Sequence, residues 1–335
     1  MMIDWASGFF PCKHDSSKLD NGLIASILPT GEIEWITNKS TQVEGSYSAK
    51  FTLKSHTDNL IYFSGNPSKF LQGHNLFGSS DLRHLLTKTF NRLLENDSLG
   101  LCPDPFQLQA IYDGEYELTR VDVNGSWHLD NEKDVQAWID AAGEKGYLRH
   151  RGRGVFSGDT LYYGKTSRRW GLKCYSKYKE IFKKDRKLPK ELECPEMFEY
   201  ARKALRIEAF IRQLELKRKG LNRVIDWEVD TPEELLLEYI SNLSLSNVYM
   251  LKDDVLNSLP MRLRMVYQSW LNGDDLKQIM SSSAFYRWRS QLLKYGVDIA
   301  VASPKEKTNV IPLVRILEAK PVGIPDWAYE KGLVA

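Results

Sequence analysis

Between Tyr162 and Glu180 the chain reads YYGKTSRRWGLKCYSKYKE, and its centre permits few folds. Trp170, Leu172 and Cys174 alternate with Gly171, Lys173 and Tyr175, the period-two pattern of a strand with one buried face. Six basic side chains crowd the same stretch. Alternation sends Cys174 to one face and Tyr175 to the other, with Lys173 and Lys177 on the side of the tyrosine. Tyr175 is therefore expected in a cationic setting, where a phenol on a rigid strand could attack a phosphate. The same pattern is equally that of a tyrosine half-burying its ring on a sheet.

The rest of the chain supplies partners for such a strand. Residues Met1 to Phe63 read as strands and turns, with LIASILPTGEIEWIT as a hairpin tipped by Pro29, Thr30 and Gly31. Pro67 to Asp81, PSKFLQGHNLFGSSD, reads as a loop rich in Gly, Ser and Asn that also carries Phe70, Leu71, Leu76 and Phe77. Ser80 and Asp81 suit the cap of a helix from about Leu82 to Leu94. LQAIYDGEY and ELTRVDVNGSW read as two strands, the second with Val121 and Val123 on one side and Asp122 on the other. An amphipathic helix follows over Asp130 to Gly146, then strands in GVFSGDTLYY and RRWGLKCYS. KYKEIFKKDRKL starts as helix. PEMFEYARKALRIEAFIRQLELKRKG gives a short helix and a strand with Arg206 and Glu208 on one face and Leu205, Ile207 and Ala209 on the other. This order predicts an α+β fold, an antiparallel sheet with packed helices of the duplicated ferredoxin-like or replication-initiator type. After Asp230 the segments are all helix-like. The expected division is a catalytic domain over 1–225 and a helical domain over 226–335.

Composition narrows the function classes. A chain of 335 residues with 42% hydrophobic and 27% charged side chains is an ordinary globular protein. The net charge of +2 provides no global basic field, but Tyr147 to Lys190 and Arg202 to Arg223 are locally basic, either solvated faces or tracks for a phosphate backbone. The four cysteines form no Cys-x-x-Cys pair, so neither a zinc site nor a disulfide framework is expected, and a reducing cytoplasm fits. The N-terminus lacks a signal-peptide pattern, and no apolar run approaches the roughly 18 residues of a membrane span.

Three polar groups fall where a core would not want them: Asp122 in TRVDVNGSW, Glu208 in LRIEAFIR and His74 in LQGHN. A histidine and two carboxylates can hold one hard divalent cation and leave room for a phosphate oxygen. Alternatively, Asp122 and Glu208 pair with Arg120 and Arg206, and His74 is a loop hydrogen-bonder. In LKQIMSSSAFYRWRSQLLKYGVDI a helix, a Ser-rich turn and a longer helix bearing Arg287 and Arg289 match the layout of a helix-turn-helix, a layout also common in proteins that never meet DNA.

Together these segments resemble the filamentous-phage gene II replication-initiator family. SKFLQGHNLFGSSDL is similar to the family's GHN segment. TRVDVNGS, SRRWGLKCYSKYKE, LRIEAFIRQLELKRKGL and the tail YGVDIAV with ILEAKPVGIPDWA follow in the family's order, so the resemblance runs from about Met2 to Trp327. It implies a metal-dependent nicking and joining enzyme of rolling-circle replication, with Tyr175 as nucleophile, Lys177 and His74 beside it, and Asp122 and Glu208 holding Mg²⁺ or Mn²⁺. Lys173, Arg168, Arg169, Arg206, Arg287 and Arg289 are the residues expected on DNA. Implied partners are double-stranded origin DNA, the displaced single strand, a host helicase and a host DNA polymerase in the bacterial cytoplasm; a homo-oligomer on DNA is compatible with this. No GxxxxGK[ST] loop is present, in keeping with joining that draws on the phosphotyrosine bond rather than ATP. Tyr178 stands where family members can carry histidine.

Overall fold

The computed structural model describes residues 1–19, 22–182, 188–245, 258–295, 297–300, 316–317 and 319–334. Its frame is a nine-stranded sheet. In chain order its strands are β1 (Met2–Pro11), β4 (Thr41–Glu44), β5 (Lys50–Thr57), β6 (Leu60–Gly65), β7 (Leu118–His128), β10 (Val155–Ser157), β11 (Thr160–Tyr163), β12 (Trp170–Ser176) and β13 (Ala204–Arg212). The spatial order is β10-β11-β12-β13-β7-β1-β6-β5-β4, and every pairing is antiparallel. Strands β2 (Leu23–Ile27) and β3 (Ile33–Asn38) make the expected separate hairpin, and β8 (Gly146–Leu148) and β9 (Gly152–Arg153) join β14 (Leu243–Leu245) in a small third sheet. The fold is α+β, as expected.

Period-two alternation divides the central strands. Val121 and Val123 of β7, Leu205, Ile207 and Ala209 of β13, and Leu172 and Cys174 of β12 are all buried in the main core. The helices Leu82–Leu94, Glu132–Lys145 and Thr231–Ser241 drive their apolar stripes into that core through Leu86 and Phe90, Trp138 and Ile139, and Leu236 and Tyr239. Each such side chain, fully withdrawn from water, contributes roughly 1.5–3 kcal/mol. The alternate positions of the same strands are polar: Asp122 and Asn124, Arg206 and Glu208, Lys173 and Tyr175.

Two expectations are corrected by helix caps. The segment taken as a loop after Gly65 begins with a helix, Pro67–Gln72. The Asn66 side chain accepts from the Lys69 N–H, Pro67 occupies the first turn, and Gly73 closes the helix in the left-handed region at φ 84°. LQAIYDGEY, taken as a strand, lies mostly in the helix Pro105–Asp113, started by a capping box between Asp104 and Gln107. In both places the capping residue, Asn66 or Asp104, lies just ahead of the segment whose own pattern points elsewhere. The helix expected after Asp81 spans Leu82–Leu94, with Asp81 as its cap.

Two smaller cores are formed among the described residues. Leu76 and Phe77 pack with Met197 and Tyr200 of the helix Pro195–Lys203 and with Ala328 and Leu333 near the C-terminus. Trp127 donates to the Ala319 carbonyl and Val322 to that of Ser126, which ties this tail to β7. Helices Met261–Leu271, Leu276–Ile279 and Ser282–Leu293 enclose a third core around Leu263, Tyr267, Trp270, Phe285 and Leu292. No described helix is long and apolar enough to cross a membrane.

Candidate active site

The polar face of β12, β13, β7 and β1 floors a cleft of about 550 Å³. Register does the assembling. Lys173 lies opposite Glu208, and Tyr175 opposite Arg206, across β12 and β13; Phe210 lies opposite Asp122 across β13 and β7. Strand β1 adds Asp4 through a register shift between Ile3 and Trp5. The shift breaks the alternation, so Asp4 and Trp5, neighbours in sequence, both line the cleft.

Asp122, Glu208, Lys173 and Tyr175 form one network. The Arg120 guanidinium donates to both oxygens of Asp122, at 2.7 and 2.5 Å. The Lys173 ammonium donates to Asp122 Oδ2 at 3.3 Å and to Glu208 Oε1. The Tyr175 hydroxyl donates to the other Glu208 oxygen, Oε2, at 3.3 Å. Burial raises the Asp122 pKa, but Lys173 and Arg120 outweigh it and hold that carboxyl ionised. Burial pushes Glu208 up; Lys173 opposes this, Asp4 and Asp122 reinforce it, and the result is about 8. Lys173 is also shifted by burial, downward, but Glu208 and Asp122 raise it above the ordinary lysine value.

The cationic setting expected for Tyr175 is not what the structure contains. Its phenol is buried, and burial first, then Glu180, Glu208 and Asp4, raise its pKa well above the usual 10, with Arg206 opposing. Both nearby lysines are committed elsewhere. Strand β12 ends at Ser176, so Lys177 opens the helix Lys177–Phe182 instead of continuing the alternation. Its ammonium is buried and donates to Glu180 Oε2 at 2.5 Å and to Asn75 Oδ1 at 2.8 Å. The group placed to accept the Tyr175 proton is Glu208.

The GHN segment is present at the cleft, but not through its histidine. Gly73 and Asn75 line the cleft, whereas the His74 ring turns toward the small core, 6.0 Å edge-on from Phe77. His74 Nδ1 accepts from the Leu76 N–H at 3.3 Å, so that nitrogen is taken. Asn75 bridges instead: its Nδ2 donates to Asp4 Oδ1 at 3.0 Å, and its Oδ1 accepts from Lys177. Asn66 donates to the same Asp4 oxygen at 3.1 Å. Gly73 is required twice: it needs φ 84°, and a Cβ there would stand 2.3 Å from the Tyr47 ring.

Arg206, expected on DNA, is fully buried. Its guanidinium donates to the carbonyls of Asn75 at 3.3 Å and Leu76 at 2.8 Å, so it clamps the GHN loop to β13 and is closed to nucleic acid. Arg206→Met should cost about 2–4 kcal/mol in urea denaturation, because two buried carbonyls lose their donors. A loss below about 1 kcal/mol would show that the loop does not depend on this clamp.

His74 has a pH signature. Burial, then the Lys177 charge, lower its pKa to about 4, against a smaller upward pull from the Leu333 carbonyl. The unfolded chain, with histidine near about 6.5, binds the extra proton first, so folding stability falls as pH drops from about 6.5 to 4. The contribution is on the order of 3 kcal/mol, present in full above about pH 6.5. Urea midpoints of His74→Gln should fall less over this window than those of the wild type.

The other expected DNA contacts scatter. Arg168 and Arg169 are exposed ahead of β12, with Arg169 4.0 Å from Glu215. In helix Ser282–Leu293 the exposed Arg287 lies over the Trp288 ring at 4.7 Å, while Arg289 forms a two-pronged pair with Asp298, both contacts at 2.7 Å. The Ser-rich turn is short: the one-turn helix Leu276–Ile279 is followed directly by Met280 and by Ser281, which caps the next helix. The cleft residues missed from sequence are Asp4, Asn75 and Asn66. A bulge and a helix cap place them there, and neither is visible in hydrophobic periodicity.

For a cation the donor chemistry fits. Asp122 and Glu208 offer hard oxygens from adjacent rigid strands, and one positive group, the Lys173 ammonium, already bridges them. Among the described residues no group of three His, Cys, Asp or Glu side chains could hold a metal ion. Magnesium commonly takes only one or two protein carboxylates and completes its shell with water and phosphate.

A continuous antiparallel sheet that carries a buried tyrosine, two carboxylates and a GHN loop on its polar face defines an α+β protein built around a polar cleft. Two family models, for the N-terminal and the C-terminal parts of the phage replication-associated protein of gene II type, match residues 2–230 and 251–334. The chain is also 37% identical over 336 residues, 97% of its length and 95% of the relative's, to the replication-associated protein of the same type from Enterobacteria phage I2-2. The chain belongs to the filamentous-phage gene II family of replication-associated proteins.

Proposed function

We propose that the protein initiates rolling-circle replication by nicking one strand of a double-stranded phage origin and later rejoining the displaced strand. The observation that carries the reading is the Tyr175 hydroxyl donating to Glu208 at 3.3 Å inside a cleft walled by rigid strands. The Tyr175 oxygen attacks the scissile phosphorus and its proton passes to Glu208. The bond from phosphorus to O3′ breaks, O3′ takes a proton from water and leaves as a hydroxyl, and the 5′ phosphate stays on Tyr175. The free 3′ hydroxyl primes a host DNA polymerase while a host helicase unwinds the duplex. A second attack by a 3′ hydroxyl reverses the step and closes the circle, with no ATP required.

A Mg²⁺ or Mn²⁺ held by Asp122 and Glu208 would polarise the phosphodiester and stabilise the charge that develops on it. Arg120 keeps Asp122 oriented throughout, since its two-pronged contact leaves that carboxylate little freedom. Asn75 and Asn66 hold Asp4 at the edge of the same cleft. Arg168, Arg169 and Arg287 are exposed and suited to DNA phosphates.

Mass spectrometry of the protein after reaction with single-stranded origin DNA and Mn²⁺ tests the reading. A covalent peptide–oligonucleotide adduct on Tyr175 is expected. An origin gel shift with no adduct and no nicking in either metal would overturn it in favour of an origin-binding regulator.

A further inference from the structure

Lys173 stands in a position the nicking reaction does not by itself explain. Among the described residues its ammonium is the single group that touches both Asp122 and Glu208. Each carboxylate has a separate second holder: Arg120 on Asp122, and the Tyr175 hydroxyl on Glu208. Removing Lys173 from between them would leave both carboxylates oriented and facing one another. The lysine side chain is 19% exposed and lines the cleft, so its four-carbon stem has open space to move into.

We infer that Lys173 is a built-in counter-cation of the carboxylate pair: it occupies the place between Asp122 and Glu208 that a divalent ion takes, and withdraws when the ion binds. This rests on the reading of these two carboxylates as the cation site. Two physical arguments support it. Buried carboxylates close to each other, with Asp4 in the same cleft, repel in a medium of low dielectric, and a positive charge between them relieves that repulsion while both stay ionised. An ammonium on a flexible stem can supply that charge and still leave, which the flat fork of Arg120 gripping Asp122 cannot. The ligand geometry is thereby preserved without metal, and metal affinity is set by competition with an internal cation. With an ion in its place, the Lys173 ammonium would be free in the cleft to meet a phosphate, and ion and DNA binding would then reinforce each other.

The test is Mn²⁺ binding to the full chain without DNA, read from the free-ion electron paramagnetic resonance signal. Lys173→Met removes the competitor and should tighten Mn²⁺ binding about tenfold or more, equivalent to about 1.4 kcal/mol. Lys173→Arg keeps a cation that grips carboxylates more firmly and should weaken binding at least about threefold. It also covers the case in which the methionine variant fails to fold. Equal affinity in the wild type and the folded variants, with Asp122→Asn still weakening binding, would overturn the role of Lys173 and leave the cation site intact. Absence of Mn²⁺ binding from the wild type and from Lys173→Met alike would overturn both.

Discussion

Tyr175→Phe should abolish nicking of a supercoiled origin plasmid while origin binding stays within about twofold, a rate loss on the order of 10⁴ or more if tyrosine is the sole nucleophile. The substitution isolates chemistry from structure. The ring is buried on β12, and phenylalanine fills the same space. Only one hydrogen bond, the 3.3 Å contact to Glu208, is removed, worth about 1 kcal/mol. Thermal unfolding should therefore move little, and the covalent adduct should vanish together with the nick. Retained nicking would show that another group attacks the phosphate. An unfolded variant would contradict the isolation of this hydroxyl from the core, because Leu172 and Cys174 bury on the opposite side of the strand.

What the sequence made legible follows a physical division. Periodicity reports which face of an element is buried, so it placed Val121 and Val123 opposite Asp122, Ile207 and Ala209 opposite Glu208, and Cys174 opposite Tyr175. Register is a property of pairs of strands, and no single strand encodes it. Hence the meeting of Lys173 with Glu208 across β12 and β13, thirty-five positions apart, is seen only in the fold. Charge counting likewise finds lysines but not their partners. Lys173 and Lys177 read as free cations around a phenol, whereas each is bound to carboxylates and the phenol is held protonated by burial. The GHN triplet was visible as a unit, but which of its side chains reaches the cleft depends on the left-handed turn at Gly73. That turn sends Asn75 to Asp4 and His74 toward Phe77. Asp4 required a bulge in β1, a feature with no compositional trace in MIDWASGFFP.

The second large effect is expected at Glu208, where one carboxylate is asked to serve two functions. Glu208→Gln keeps the shape of the side chain and an oxygen that can accept from Tyr175, but it cannot take the proton, and it offers a cation no charge. Nicking should fall by about 10²–10⁴, the usual contribution of a positioned general base, before any loss of the ion is added. Asp122→Asn separates the two roles, since Asp122 makes no contact with the Tyr175 hydroxyl among the described residues. If Asp122 serves only the cation, raising Mn²⁺ should restore much of the rate in Asp122→Asn and little of it in Glu208→Gln. The pH profile gives an independent check. With Glu208 held up to about 8 by burial and its acidic neighbours, the wild-type rate should climb with pH toward that value as the carboxylate ionises, and a bound ion would move the rise lower. Glu208→Gln should lose this rise, and Asp122→Asn should keep it but at lower pH, since the Asp122 charge helps to hold Glu208 up. A pH rise that Glu208→Gln keeps unchanged would remove Glu208 from proton transfer and leave it as a holder of Lys173 and the ion.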